Sequence, residues 1–282
     1  MYIKEMVEDL NSVLDLDRHI VGIKFIFNKE EFELSDAPQV RYKLSYCNMV
    51  KFAASGKSYK ANLSNFLCIG SAKALGLIKP DSNAISGNVY YSFGLYDSLC
   101  TARNVQKDVT FLDHETYGVV VMPLEKFNVQ PDIVICIINP YQSMRILQGY
   151  AFHHGAAKNI KMAGNSGICS ECTATPYDTS DMNLSLLCSN TRFAAKWKDD
   201  ELGVGMPFKM FEKVYDGVLK TIDPCELNDR KVKIIARCKD ADRRIDINLD
   251  SNYFESTLKQ HKIVEAHSKE PLSFFEDAAN YD

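Results

Sequence analysis

The stretch that decides the fold is PDIVICIINP, which occupies residues 131–140. The run 133–138 is wholly apolar and mostly β-branched, a pattern typical of a strand that is buried on both faces of a central sheet. Asn139 and Pro140 follow at once and suit the N-cap and the first position of a helix. The stretch therefore predicts a central strand that leads directly into a helix ending near Gly155.

Strand and helix patterns alternate on both sides of this stretch. Residues 19–27 and 117–123 are rich in β-formers, whereas 1–16 and 208–222 place apolar side chains on one face of a helix. Together they predict an α/β fold, or a mixed α+β fold, with helices on the faces of a sheet. Shorter helices are expected at 46–54, 71–75 and from Asp97 to Lys107, further strands at 57–67 (or a loop), 90–96, 159–163 and 202–206, and a charged loop at 29–39.

The C-terminal part of the chain differs in pattern from the rest. Residues 231–238 and 243–249 resemble two strands joined by a charged turn, and the end of the chain carries mixed charges without periodicity. We therefore expect an α/β body over 1–222 and a C-terminal hairpin or small subdomain over 223–282.

Composition excludes several classes of protein. The 282 residues are 46% hydrophobic and 25% charged, which is ordinary for a globular protein. A net charge of −4 without a basic block argues against nucleic-acid binding. No apolar run approaches the ~18 residues of a membrane span, and the N-terminus has no signal-peptide pattern. We therefore expect a cytoplasmic protein without nucleic-acid or membrane partners.

The nine cysteines are unusual, and four of them recur in two similar segments. Segments 45–77 and 167–197 each contain a cysteine, an Asn-Leu-Ser word and a second cysteine. Either the likeness arises by chance, or the segments are duplicated, pack about a pseudo-twofold axis and bring their cysteines into one pocket. The two pairs are Cys47 with Cys68 and Cys169 with Cys188.

Three of these cysteines, Cys47, Cys68 and Cys188, lie where an irregular segment becomes a helix. The unpaired N–H groups of a helix start favour the thiolate, which is the form that binds metal. Four thiolates suit zinc or an iron–sulfur cluster. The spacing does not identify the metal, because a zinc ribbon has two CxxC pairs and this chain has only Cys169 and Cys172. The alternatives are cysteines that merely fill small spaces, or a redox pair at Cys169 and Cys172.

The same residues carry a resemblance to a known family. The words CIGSAKALGL at 68–77, NPYQSMR at 139–145 and CSNTR at 188–192 resemble domain-of-unknown-function family 169, also called ArCR. The resemblance covers roughly 17–222 and implies a cytosolic protein of anaerobic or archaeal-type metabolism, without a secure reaction. It favours a 4Fe–4S cluster over zinc, and this sequence departs from the family pattern at Cys172. The recurring cysteines that it implies are Cys47, Cys68, Cys169 and Cys188.

Two arginines are candidate cofactor-binding residues. Arg192 lies one helical turn after Cys188, where it would grip a carboxylate or phosphate at the metal. Arg145 lies in the second turn of the helix after 131–138, at a strand end where ligands commonly bind. The competing interpretations are a surface salt bridge for Arg192 and a helix-face charge for Arg145. The turn at 164–167 is a candidate anion cradle or a plain turn.

These observations predict a cysteine-ligated metal protein. A 4Fe–4S cluster would make it a redox or Lewis-acid enzyme acting on a small anionic metabolite. The alternative is a non-catalytic or zinc-stabilised protein that binds a small molecule. Its partners would be that small molecule or an electron-transfer protein, with a homo-oligomer as a further option.

Overall fold

A six-stranded antiparallel sheet forms the centre of the computed structural model, which describes residues 3–251. The predicted mixed architecture of a sheet with helices on its faces is confirmed. The strands are arranged in the order β2-β3-β1-β4-β6-β5, and each neighbouring pair is antiparallel. They are β1 (Val21–Ile26), β2 (Tyr59–Asn62), β3 (Gly118–Pro123), β4 (Ile133–Ile138), β5 (Asn183–Ser185) and β6 (Leu202–Pro207).

The helices vary from a single turn to four turns, and one segment is π-helical. The π-helical segment is Gly167–Ala174. Within the described part, no helix is both long enough and apolar enough to cross a membrane. The α-helices are α1 (Ile3–Leu14), α2 (Lys29–Leu34), α3 (Tyr46–Ala53), α4 (Ile69–Ala74), α5 (Ser82–Ser86), α6 (Asn88–Ser92), α7 (Leu99–Asp108), α8 (Pro140–His154), α9 (Thr175–Thr179), α10 (Ser189–Ala195), α11 (Phe208–Lys220), α12 (Ile222–Cys225) and α13 (Asn228–Asp240).

The central strand β4 has the burial that its sequence predicts. All of its side chains are buried. Ile133, Ile135 and Ile137 face one hydrophobic core, and the alternate residues of β4 face a second core under α8 and α11. An apolar side chain is therefore needed at every position. The following helix begins as expected, because Asn139 and Gln142 form a capping box.

The strand order has an internal twofold pattern. Strands β2-β3-β1 form one half of the sheet and β5-β6-β4 form the other, and the halves meet where β1 pairs with β4. In each half a helix, an edge strand and a second helix that starts at a cysteine follow one another along the chain. This order is consistent with the duplication of 45–77 and 167–197, which stays a prediction. The Asn-Leu-Ser words are not equivalent, since Asn62 caps a turn whereas Asn183 bonds to the backbone of Glu171.

Two of the predicted strands in the body are wrong. The aromatic run 90–96 contains the end of α6 and a turn at Gly94, whose φ of 71° no strand adopts. Residues 159–163 are irregular, because the side chain of Asn183 takes the place of a neighbouring strand. Its Oδ1 accepts from Lys161 N at 2.8 Å, and its Nδ2 donates to Lys161 O at 3.0 Å. Residues 29–39, expected as a loop, contain α2, which Asn28 caps.

The predicted C-terminal hairpin is also wrong. Residues 231–238 lie within α13, and the buried side chains of Lys231, Ile234 and Cys238 follow a helical spacing. This helix packs on α1, where Arg237 Nε donates to Ser12 O at 2.6 Å. Residues 243–249 are irregular. The rest of the predicted tail, 252–282, lies outside the described residues, and the division at 222 stays a prediction.

Candidate functional site

The four cysteines of the two similar segments lie on three kinds of element on one side of the sheet. Cys47 is in the first turn of α3 and is buried. Cys68 and Cys188 are the half-buried N-cap residues of α4 and α10. Cys169 lies in the π-helical segment, is buried, and shares a hydrophobic core with Cys47. All nine cysteines are free thiols.

The thiols of these cysteines interact electrostatically. The pKa of Cys47 is raised from 9.0 to about 12. Burial is the largest cause, the charges of Cys188 and Cys68 add to it, and a hydrogen bond with Thr191 opposes it. Burial also raises the pKa of Cys169, and the charges of Cys47, Cys188 and Cys68 add to that rise. Charges act on one another more strongly in a protein interior than in water, because the interior screens them less. These electrostatic effects relate the four thiols to one another, and we call the region that they border the thiol pocket.

The thiol pocket does not have the geometry of a preformed single-ion site. Within residues 3–251, no three Cys, His, Asp or Glu side chains are arranged to hold a metal ion. One zinc ion requires thiolates about 2.3 Å from the metal, whereas four thiolates around an iron–sulfur cluster stand further apart. Four cysteine thiols form a donor set that suits either group.

Thr191 connects two of the thiols. Its Oγ1 lies 3.2 Å from Cys47 Sγ and 3.0 Å from Cys188 Sγ, and its backbone N–H donates to Cys188 Sγ at 3.4 Å. The threonine side chain is fully buried. The corresponding residue after Cys68 is Ser71, whose hydroxyl instead donates to Cys68 O at 2.7 Å. The two halves of the pocket thus differ in how the sulfur is held.

Two tyrosines that sequence reasoning missed border the pocket. Tyr46 is fully buried, and its hydroxyl lies 3.1 Å from Thr173 Oγ1. Burial raises its pKa, and the charges of Cys169 and Cys47 add to the rise. Tyr90 of α6 is less buried, and its pKa is raised by burial and by the charges of Cys169 and Cys68. The signal for Tyr46 was its position beside Cys47; Tyr90 had none, because its segment resembled a strand.

Cys172 packs beneath the pocket against β6. A Cβ atom at Gly203 would lie 2.5 Å from Cys172 Sγ, and one at Gly205 would lie 1.9 Å from Cys172 O. The two glycines therefore let the π-helical segment lie directly on the sheet. Cys172 is fully buried, and burial raises its pKa. This contact gives Cys172 a packing role.

The turn at 164–167 does bind an anion, which is the carboxylate of the chain's own Glu171. Ala163 N donates to Glu171 Oε1 at 2.7 Å, the backbone of 164–165 adds hydrogen bonds, and Ser185 donates to Oε2. Burial raises the pKa of Glu171, and these hydrogen bonds lower it. The turn thus supports the start of the π-helical segment and leaves no cradle for another anion.

Both candidate arginines are engaged by protein groups. The guanidinium of Arg192 donates to three backbone carbonyls, at Lys198 (2.5 Å), Leu186 (2.9 Å) and Glu201 (2.9 Å), and so ties the loop after α10 to the loop before it. The Arg192 guanidinium therefore binds backbone carbonyl groups, whereas the sequence predicted that it would bind a carboxylate or phosphate at the metal.

Arg145 lies on the other side of the sheet from the thiol pocket. It belongs to α8, which packs in the second core, and its side chain is fully buried. Its Nε lies 2.7 Å from Glu226 Oε1, and NH1 donates to Gln148 at 2.6 Å. The structure therefore does not bring Arg145 to the cysteines, and the residue joins α8 to α11 and α12.

The chain is similar to the family described as Uncharacterised ArCR, whose model matches residues 9–217. It is also similar to an uncharacterized protein of Methanocaldococcus jannaschii, with 24% identity over 222 residues that cover 77% of this chain and 93% of that protein. No solved structure matches the chain. The matched range includes all four pocket cysteines and both halves of the sheet. The chain therefore belongs to domain-of-unknown-function family 169, as the resemblance in its sequence predicts.

Proposed function

We propose that Cys47, Cys68, Cys169 and Cys188 hold a metal cofactor, a 4Fe–4S cluster in preference to zinc. The observation that supports this proposal is the approach of two of the thiols to one hydroxyl, since Thr191 Oγ1 lies 3.2 Å from Cys47 Sγ and 3.0 Å from Cys188 Sγ. The charges of Cys68 and Cys188 also raise the pKa of Cys47 and of Cys169. Four thiolates beside one another are unfavourable unless a cation lies between them. A cluster relieves that repulsion and matches the donor set.

The residues of the thiol pocket would have different roles in holding the cluster. When bound, the cluster supplies electron transfer or Lewis-acid chemistry. The buried thiols of Cys47 and Cys169 hold the inner side, and the half-buried Cys68 and Cys188 form the side open to a substrate or an electron-transfer partner. Thr191 holds two of the sulfurs in place through its hydroxyl and backbone N–H.

We further propose that the protein acts in the cytoplasm, in anaerobic metabolism, on a small metabolite. A homo-oligomer is part of the same proposal. The anionic character expected of the metabolite depended on Arg192 and Arg145. Because protein groups engage both guanidinium groups, that expectation has no support from their positions.

Anaerobic reconstitution of the full chain with iron and sulfide tests the cluster. We expect a brown protein that retains iron and sulfide after desalting. Serine at any one of the four pocket cysteines should lower the bound iron. Cys100→Ser, at an exposed cysteine, and Cys136→Ser, at a buried cysteine of the second core, are the matched controls. Cys172→Ser should resemble the controls.

Two results would overturn the proposal. Iron loss that is equal in the control and pocket variants would show non-specific binding. Retention of zinc with no iron under the same conditions would favour a zinc-stabilised protein that binds a small molecule.

A further inference from the structure

Cys47 and Cys188 approach each other where α3 packs on α10. Their sulfurs lie 3.2 Å and 3.0 Å from the same atom, Thr191 Oγ1. The two sulfurs can therefore be no further apart than the sum of these two distances. Both cysteines are free thiols in the structure. A disulfide joins sulfurs about 2.05 Å apart, so a rotation of one side chain toward the other is the movement that a bond between them requires.

Cys188 is the thiol of this pair that an outside reagent can reach. Its side chain is half-buried, whereas Cys47 is only 7% exposed. A turn of the Cys188 side chain to another staggered rotamer moves its sulfur and leaves the backbone in place. Such a turn would replace the contact of Cys188 Sγ with Thr191 by a contact with Cys47. Cys188 is therefore the entry thiol, and Cys47 is the inner thiol that can bond to it.

The other two cysteines of the thiol pocket suit this reaction less well. Cys169 is near enough to Cys47 for the charge of Cys47 to raise its pKa, but it is only 6% exposed. A pair of Cys47 with Cys169 would therefore have no thiol that a reagent can reach. Cys68 is half-buried, like Cys188, but Ser71 beside it donates to the backbone oxygen of Cys68 and does not join its sulfur to a second thiol.

We propose that Cys47 and Cys188 form a reversible disulfide by exchange with glutathione disulfide or a similar small disulfide. The Cys188 thiol attacks one sulfur of the reagent and forms a mixed disulfide, and the small thiol that leaves takes the proton of Cys188. Cys47 Sγ then attacks Cys188 Sγ, and the second small thiol leaves with the proton of Cys47. Two electrons pass from the protein thiols to the reagent, and an excess of small thiol reverses both steps.

The disulfide would make the thiol pocket sensitive to oxidation. It removes two of the four thiolates that are proposed to hold the cofactor and leaves Cys68 and Cys169. Oxidation and cofactor binding therefore exclude each other. This consequence rests on the proposed function, whereas the disulfide itself requires no metal.

The test adds glutathione disulfide to the reduced, metal-free full chain under anaerobic conditions. After acid quenching and alkylation of the remaining thiols, mass spectrometry of a digest should find the peptides of Cys47 and Cys188 joined, and dithiothreitol should separate them. Cys47→Ser should instead accumulate glutathione at Cys188. Cys188→Ser should leave Cys47 as a thiol that is alkylated. Cys100 is the internal control, because this exposed thiol should keep its glutathione.

Cys136→Ser, at a buried cysteine of the second core, should leave the link between Cys47 and Cys188 unchanged, and circular dichroism confirms that each variant is folded. A link from Cys47 to another cysteine, or glutathione that stays on Cys188 in the unaltered chain, would overturn the pair.

Iron content after reconstitution, measured on reduced and oxidised portions of the same preparation, reports on the proposed function separately. The oxidised portion should bind less iron than the reduced one. A chain that forms the link but binds no iron when reduced would contradict the cluster alone. A chain that binds iron but forms no link would contradict the disulfide alone.

Discussion

Thr191 has one hydroxyl proton and two sulfur neighbours, at 3.2 Å and 3.0 Å. Replacing it with the isosteric valine removes a buried hydrogen-bond partner from Cys47 and Cys188 at once. Thr191→Val should therefore lower the free energy of unfolding of the metal-free protein by about 1–3 kcal/mol, measured by urea denaturation. Ser189→Ala, at an exposed position of the same helix, is the control and should change it little. An unchanged midpoint for Thr191→Val would show that the hydroxyl contributes nothing.

Arg145 forms a buried ion pair with Glu226, and we expect this pair to stabilise the fold. Its side chain and that of Glu226 are 0% and 2% exposed. Arg145→Leu removes the guanidinium whose Nε lies 2.7 Å from the buried Glu226 carboxylate, so it should cost about 3–5 kcal/mol of stability. Lys4→Ala, which breaks the exposed pair with Glu8, should change stability by less than about 1 kcal/mol. A small effect of Arg145→Leu in calorimetry would mean that Arg145 is not structural.

At the scale of elements, the π-helical segment depends on two glycines of β6. A methyl group at Gly205 would meet the backbone of Cys172 at 1.9 Å, and backbone cannot rotate away. Gly205→Ala should therefore destabilise the protein by about 3 kcal/mol and perturb the thiol pocket. Gly94→Ala provides the control, because that glycine has a φ of 71° but no neighbour within 4 Å. It should cost about 1 kcal/mol, and equal losses for the two variants would contradict the packing argument.

The sequence predicts those elements in which local pattern and tertiary environment agree. In β4, burial on both faces matches an apolar side chain at every position. In 231–238 the local pattern and the tertiary environment disagree. The apolar and charged residues alternate as in a strand, but the segment packs on α1 as a helix and buries Lys231, Ile234 and Cys238. The π-helical turn follows from contact with Gly205, which lies more than thirty positions later and cannot be predicted from local pattern.

In the candidate site, too, some residues could be proposed from the sequence and others could not. The four cysteines were proposed from the repeated words, and three of them also from positions at helix starts; their role as metal ligands stays a prediction. The partners of the two arginines could not be predicted. Spacing along a helix shows which face a guanidinium occupies, but it does not show which protein groups will bind it. Arg192 finds three of them at hydrogen-bond distance. Tyr90 reaches the thiol pocket only through the fold.

At the scale of the whole molecule, the buried thiols link stability to pH. Burial and neighbouring charges raise the pKa of Cys47 from 9.0 to about 12, and burial alone does the same for Cys136 on the opposite side of the sheet. A group whose pKa is higher in the folded state binds its proton more tightly there. Its contribution to stability is therefore complete below the unfolded value and is lost as pH rises through the folded value.

The metal-free protein should accordingly lose stability as pH rises from 9 towards 12, as measured by urea denaturation in a pH series. Cys136→Ala removes one titrating thiol and should make the loss shallower. Cys47→Ala should make it shallower still, because it also removes a charge that raises the pKa of Cys169. Cys100→Ala, at an exposed thiol, should leave the slope unchanged. If the Cys47 and Cys100 variants gave the same slope, the thiols of the pocket would not be coupled, and the observation that supports a shared cofactor would fail.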